Sequence, residues 1–318
     1  MMKVAGIRLV AWVVLVALLL PQAADAAAPS ALPSSSPLPR ELRVMTFNIR
    51  YATPKDIPSG NAWAQRKELL FKTIEAFDPD LLGTQEVLPT QGGELKERFA
   101  KSHEFIGVPR NDGKTSGEMA AVLFRRDRFE KVKDGTFWLS LTPEVVGSKG
   151  WDADLPRVVT WVELRDRRNN DRPLLFMNTH FDHLGKQARL ESAKLMRKRM
   201  LELAGADGDK AILVTGDFNV PQYSPPYKEL LNGSGVEGDT LRLVETFKDA
   251  TPKPTTQDFT FNNFNGTNDR ADRIDWVLRS DHFKTVKAMI DRTNENGRYP
   301  SDHFPVEAVV EWKDVVKQ

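Results

Sequence analysis

The chain has 318 residues, 40% hydrophobic and 28% charged, a composition that fits an ordinary globular protein and excludes collagen, coiled-coil and disordered classes. Cysteine is absent, which excludes a disulfide framework, a thiol nucleophile and a cysteine-based zinc site. The formal net charge is +1, and Lys3, Arg8 and Asp25 account for it, so the remainder is near neutral and lacks the basic surplus of a protein that grips long nucleic acids.

In chain order, Lys3 and Arg8 precede an apolar run from Leu9 to Leu20 that Pro21 breaks, and Ala24-Asp25-Ala26 follows as a small-residue cleavage site. A basic flank, a short apolar run and small residues predict a secretory signal peptide over 1–26, cut near Ala26 or Ala27. The run falls short of the roughly 20 residues that span a bilayer, so no stable membrane anchor is expected. Residues 27–40 are rich in Ala, Pro and Ser and read as a linker. One folded domain is expected over 41–318, in a secreted or periplasmic protein that acts as a monomer.

From Leu42 to Ile49 apolar and polar residues alternate, which predicts a strand. Trp63 to Phe77 has helical spacing and stops at Asp78-Pro79. Further strands are predicted over 81–87, 119–124, 157–164, 174–178, 211–215, 274–279 and 306–311, and a long amphipathic helix over 186–203. Alternating and continuously apolar runs together imply packed sheets with helices outside, a layered α/β domain.

The polar residues cluster at predicted strand ends: Asn48 in MTFNIR, Glu86 in TQEV, His180 in NTHFDH, Asp217 and Asn219 in TGDFN, Asp275 in RIDWVL, and Asp302 with His303 in SDHFPV. Such ends can converge on one edge of the sheets and hold a rigid site. Carboxylates and side-chain amides are hard oxygen donors suited to Mg²⁺ or Mn²⁺. Imidazoles beside such an ion suit acid–base work or charge stabilisation on phosphate.

These motifs, in this order from Met45 to Val306, resemble the endonuclease/exonuclease/phosphatase superfamily, with GDFN followed by SDH the most telling pair. The resemblance implies a four-layered α/β sandwich of two mainly antiparallel sheets flanked by helices, with the site at the mouth between the sheets. It further implies that Asn48 and Glu86 bind the metal and that Asp302 contacts it directly or from one layer out. Asp217 would orient or deprotonate the attacking water, and Asn219 would hold the scissile phosphate. His303, polarised by Asp275, would contact that phosphate, and His180, paired with Glu118, would protonate the leaving oxygen. The expected activity is hydrolysis of a phosphate ester: a small molecule, a glycan phosphate or a head group. A nuclease is the alternative, and a catalytically silent binding module is a third reading that the complete motif set disfavours.

On the substrate side, Arg110 and Arg157 are candidate phosphate contacts. Trp138 and Trp151, in the segment from Phe137 to Asp152, are candidates to line a pocket for a sugar, base or lipid head. No Lys/Arg-rich loop suited to a DNA groove and no long hydrophobic hairpin is visible.

Overall fold

Strand β1 (Glu41–Asn48) buries every residue after the first, so it lies between two covered faces. The computed structural model describes residues 40–205, 210–233, 239–253, 255–268 and 272–314; the expected signal peptide and nearly all of the linker lie outside them. Helix α1 (Trp63–Phe77) ends where Asp78 turns left-handed and its N–H caps Ile74 O. Strand β2 (Leu81–Val87) follows, then α2 (Pro89–Arg98), β3 (His103–Ile106), β4 (Met119–Arg125), β5 (Phe129–Trp138), β6 (Val158–Asp166) and β7 (Arg172–His180). The long helix α3 (Lys186–Ala204) leads to β8 (Ala211–Asp217), α4 (Pro225–Asn232), β9 (Leu243–Glu245), α5 (Thr246–Ala250), β10 (Asp275–Ser280), β11 (Phe283–Ile290) and β12 (Val306–Trp312).

The strands form two mixed six-stranded sheets, ordered β11-β12-β1-β2-β4-β3 and β5-β6-β7-β8-β10-β9. Each holds a single parallel pair among antiparallel neighbours, β1 with β2 in one and β7 with β8 in the other. The inner faces meet through Leu42, Val44 and Val122 on one side and Val162, Leu174 and Phe176 on the other. Leu70, Ile74 and Phe77 of α1 cover the outer face of the first sheet, and Met196 and Met200 of α3 that of the second. The result is the expected four-layered sandwich. Among the described residues no helix is long and apolar enough to cross a membrane.

One polar seam crosses the apolar interior. Gln85 Nε2 donates to Thr46 Oγ1 (3.0 Å) and Asn178 Oδ1 (2.7 Å), and Asn178 Nδ2 donates to the carbonyls of Thr84 (2.8 Å) and Ala121 (2.9 Å). Thr215 Oγ1 donates to the same Asn178 oxygen at 3.0 Å. Gly83 lies against this seam, where an added Cβ would stand 2.0 Å from Thr215 Oγ1, so only a hydrogen lets the sheets approach this closely. The seam fixes the two sheets relative to each other one residue away from Glu86, because buried amides left unpaired are costly.

Candidate active site at the sheet edge

A parallel pair brings two C-terminal strand ends to the same edge. In the first sheet these ends carry Asn48 and Glu86; in the second they carry His180 and Asp217, which are register neighbours. Strand β10 runs antiparallel to β8 and therefore starts at that edge, with Asp275 opposite Asp217. Strand β12, antiparallel to β1, enters there too, preceded by Asp302 and His303. Glu86 sits at an irregularity between Thr84 and Val87 with φ +61°, and Asn219 has φ +51°. Left-handed backbone at both positions turns these side chains out of the strand pleat, and such strain is retained where the surroundings hold it.

Asp217 is the junction of the site. Its Oδ2 accepts from Asn48 Nδ2 at 2.9 Å and lies 3.5 Å from His180 Nε2 and 3.8 Å from His303 Nε2. Asn48 Nδ2 also donates to Glu86 Oε1 (3.1 Å), while Asn48 Oδ1 accepts from Arg50 N (3.0 Å). Asn48 thus acts as a strut between two carboxylates, with its oxygen engaged by backbone. Tyr51 N donates to the second Glu86 oxygen at 3.0 Å. His303 Nδ1 lies 2.9 Å from Asp275 Oδ2, so the expected carboxylate–imidazole pair is formed. Burial lowers the proton affinity of His303, but Asp275 and then Asp217 outweigh it and hold the ring well above its ordinary value. Burial and the Asp275 charge push Asp217 up to about 7 against the opposing pull of His303.

The second expected pair is different. Glu118 accepts from Arg110 Nη2 at 2.8 Å, and its other oxygen stays 4.0 Å from His180 Nδ1, outside hydrogen-bond range. His180 Nε2 accepts from Asn219 Nδ2 at 2.9 Å, and that amide also donates to Phe181 O. Burial, then the charges of Arg157 and Arg110, lower His180 well below its ordinary value and favour the neutral ring. A Glu118–His180 pair with a charged imidazole is therefore not what this arrangement supports, because Arg110 has taken the acid.

Glu86, His180, Asp217, Asn219, Asp302 and His303 line a cleft of about 880 Å³ with Arg50, Arg110 and Arg157, while Asn48 and Asp275 are buried and not part of its lining. Trp138 and Trp151 do not lie in it. Trp138 is buried and donates from Nε1 to Arg110 O at 2.7 Å, so it supports the loop behind the cleft. Trp151 borders a separate pocket of about 320 Å³ with Leu141 and Leu195.

Two arginines, Arg50 and Arg66, brace the site through side-chain and backbone contacts. Arg50 pairs with Asp56 at 3.1 Å through two hydrogen bonds and reaches Asp302 Oδ2 at 3.6 Å. Arg66, fully buried on α1, donates to the carbonyls of Ile49 (2.6 Å), Arg50 (2.7 Å) and Pro300 (3.0 Å), tying the Asn48 strand end to the Asp302 loop. The signal for Arg66 was its position on the apolar face of a helix, but its partners are backbone atoms that no side-chain pattern reveals.

The donor chemistry fits a hard divalent cation. Burial, partly offset by His303 and Arg50, raises Asp302, and Glu86 adds repulsion; a cation would relieve both. Glu86 and Asp302, both lining the cleft, are oxygen donors that could hold one, and among the described residues ligand atoms of Asp217, Asp275 and His303 lie within 4.8 Å of one another.

Comparison with known proteins agrees with this geometry. A family model described as the Endonuclease/Exonuclease/phosphatase family matches residues 45–303. A solved endonuclease/exonuclease/phosphatase family protein from Bacteroides thetaiotaomicron is 34% identical with a TM-score of 0.77, covering 86% of this chain and 98% of that one. A mannosyl-6-phosphatase of the same organism is also 34% identical, with a TM-score of 0.75 and coverage of 85% and 100%. A probable RNA exonuclease of Saccharomyces cerevisiae is 24% identical over 59% of this chain, and the match spans 39% of its length. The chain belongs to the endonuclease/exonuclease/phosphatase family.

Proposed function

We propose that the protein is an exported hydrolase of phosphate esters that uses Mg²⁺ or Mn²⁺ to promote in-line attack of water on a small phosphorylated substrate, with sugar phosphates and glycan-linked phosphates the first class to test. The observation that carries this reading is Asp217, whose Oδ2 is within 3.8 Å of two imidazoles and hydrogen-bonded to Asn48 at the mouth of one cleft. The similarity to a mannosyl-6-phosphatase supports the substrate class.

A divalent cation held by Glu86 and Asp302 would supply neutralising charge on the phosphate and acidify bound water. Asp217, with a proton affinity near neutrality, takes the proton from the attacking water or orients it. His303, kept protonated by Asp275, places positive charge on a non-bridging oxygen. Asn219, whose amide hydrogens go to His180 Nε2 and Phe181 O, orients the His180 ring at the wall of the cleft.

The test is a screen with Mg²⁺ or Mn²⁺, against an EDTA control, over sugar phosphates, inositol phosphates, phospholipids, nucleic acids and aryl phosphates. Metal-dependent release from a small ester is the expected result. Cleavage of nucleic acid in preference to small esters supports the nuclease reading instead, and no hydrolysis with either metal removes the enzyme reading. Export is tested by N-terminal sequencing of protein recovered outside the cytoplasm, which should begin near Ala27.

A further inference from the structure

The His180 end of the cleft carries two guanidiniums with unused donors. Arg110 and Arg157 are 6% and 4% exposed and both line the cleft. Arg110 gives Nη2 to Glu118, and its Nε has no hydrogen-bond partner. Arg157 gives Nη2 to His183 Nδ1 at 3.1 Å, and its Nε is 3.6 Å from Asp182 Oδ2, too long for a hydrogen bond. Its Nη1 is buried and unpartnered. Asp182 is itself occupied by the backbone N–H groups of Asp154, Leu155, Leu184 and Gly185, so it pairs with Arg157 by charge and makes no hydrogen bond to it. Buried guanidinium N–H groups without acceptors are costly, and a planar fork of such donors matches the free oxygens of a phosphate.

This end is also closed. Beside the two arginines the space shrinks to about 10 Å³, bounded by Met119, Ala120 and Val158. That is at most the room for a single water. A diester needs two exits for its two substituents, and a monoester needs one. Away from this wall the cleft is lined by Tyr51 and Phe264, both partly exposed.

We propose that Arg157 and Arg110 form a closed anion subsite that binds the free oxygens of a terminal phosphate, so that the protein acts on phosphate monoesters in preference to diesters. This inference rests on the hydrolase reading above and specifies its substrate class. A monoester near neutral pH carries one more negative charge than a diester, and the subsite answers that charge.

The test compares p-nitrophenyl phosphate with bis-p-nitrophenyl phosphate under Mg²⁺ or Mn²⁺ in wild type, Arg157→Met and Arg157→Lys. Wild type should favour the monoester by at least about tenfold in kcat/KM, Arg157→Met should bring the ratio to within about threefold of one, and Arg157→Lys should fall between. Inorganic phosphate should raise the melting temperature of wild type and not of Arg157→Met, a readout that does not depend on turnover. A diester preference in wild type, or an equal fall on both esters in Arg157→Lys, overturns the subsite while the hydrolase reading stands. If wild type cleaves neither these nor any other ester in the screen, both fall together.

Discussion

Replacing Gly83 by Ala tests the claim that the polar seam between the sheets sets the geometry of the site. The new methyl would stand 2.0 Å from Thr215 Oγ1 and 2.5 Å from Asn178 Oδ1, where ordinary contact begins near 3.4 Å. Neither neighbour can swing aside freely, because Asn178 is fixed by Gln85, Thr215 and two backbone carbonyls. Overpacking a dense interior costs about 1–3 kcal/mol, and each hydrogen bond lost adds about 1 kcal/mol. With two bonds broken the total is about 4 kcal/mol, a large share of the roughly 5–15 kcal/mol that holds a domain folded. For a domain of this size that corresponds to a fall of roughly 10 °C in melting temperature. The assay is thermal and urea unfolding of the purified protein, with Gly93→Ala as control. Gly93 is exposed on α2 with nothing within 4 Å of an added Cβ, so that change should be neutral or stabilise by about 0.5–1 kcal/mol. A Gly83→Ala protein that melts within about 2 °C of wild type would refute the close-approach argument.

Asp275→Asn should lower kcat by about 10²–10⁴-fold with little change in KM, because His303 loses the group that holds its charge and orientation; wild-type kcat on any cleaved ester refutes the role. Asp182 gives a pH-dependent prediction. Burial alone would raise it, yet the N–H groups of Gly185, Leu155 and Leu184 and the Arg157 charge hold it at about 2. Its unfolded value is about 3.9, so its contribution is complete above that pH and is lost as pH falls through the folded value. Asp182→Asn should therefore cost about 2 kcal/mol at pH 7, discounted for solvent nearby, and about half of that at pH 3. An equal loss at both pH values would show that shape, not charge, is responsible.

Much of the architecture is written locally. The helix over Trp63–Phe77 and the strand over Leu81–Val87 match the observed bounds because apolar spacing and the Asp78-Pro79 stop are local signals. Strand β5 has no alternating signal in the sequence, since five consecutive exposed residues follow Phe129 on an edge strand. Gly92 and Gly93 weaken the helical signal of α2, and β11 is an edge strand with an irregularity between Thr285 and Lys287. At the site, residue types and order pointed to a carboxylate–imidazole cluster, and the structure brings Asn48, Glu86, His180, Asp217, Asn219, Asp275, Asp302 and His303 to one sheet edge.

The chemistry available is legible in the residue order: hard oxygen donors, imidazoles and no thiol, placed at strand ends of a layered α/β domain. The pairing of these groups is set by packing between strands distant in the chain. Glu118 went to Arg110 instead of His180, Trp138 went behind the loop instead of into the cleft, and Arg157 kept a free donor at a closed wall. Those outcomes depend on distances of a few ångströms between strands far apart in the chain, and a charge or ring selects whichever buried partner the packing brings within reach.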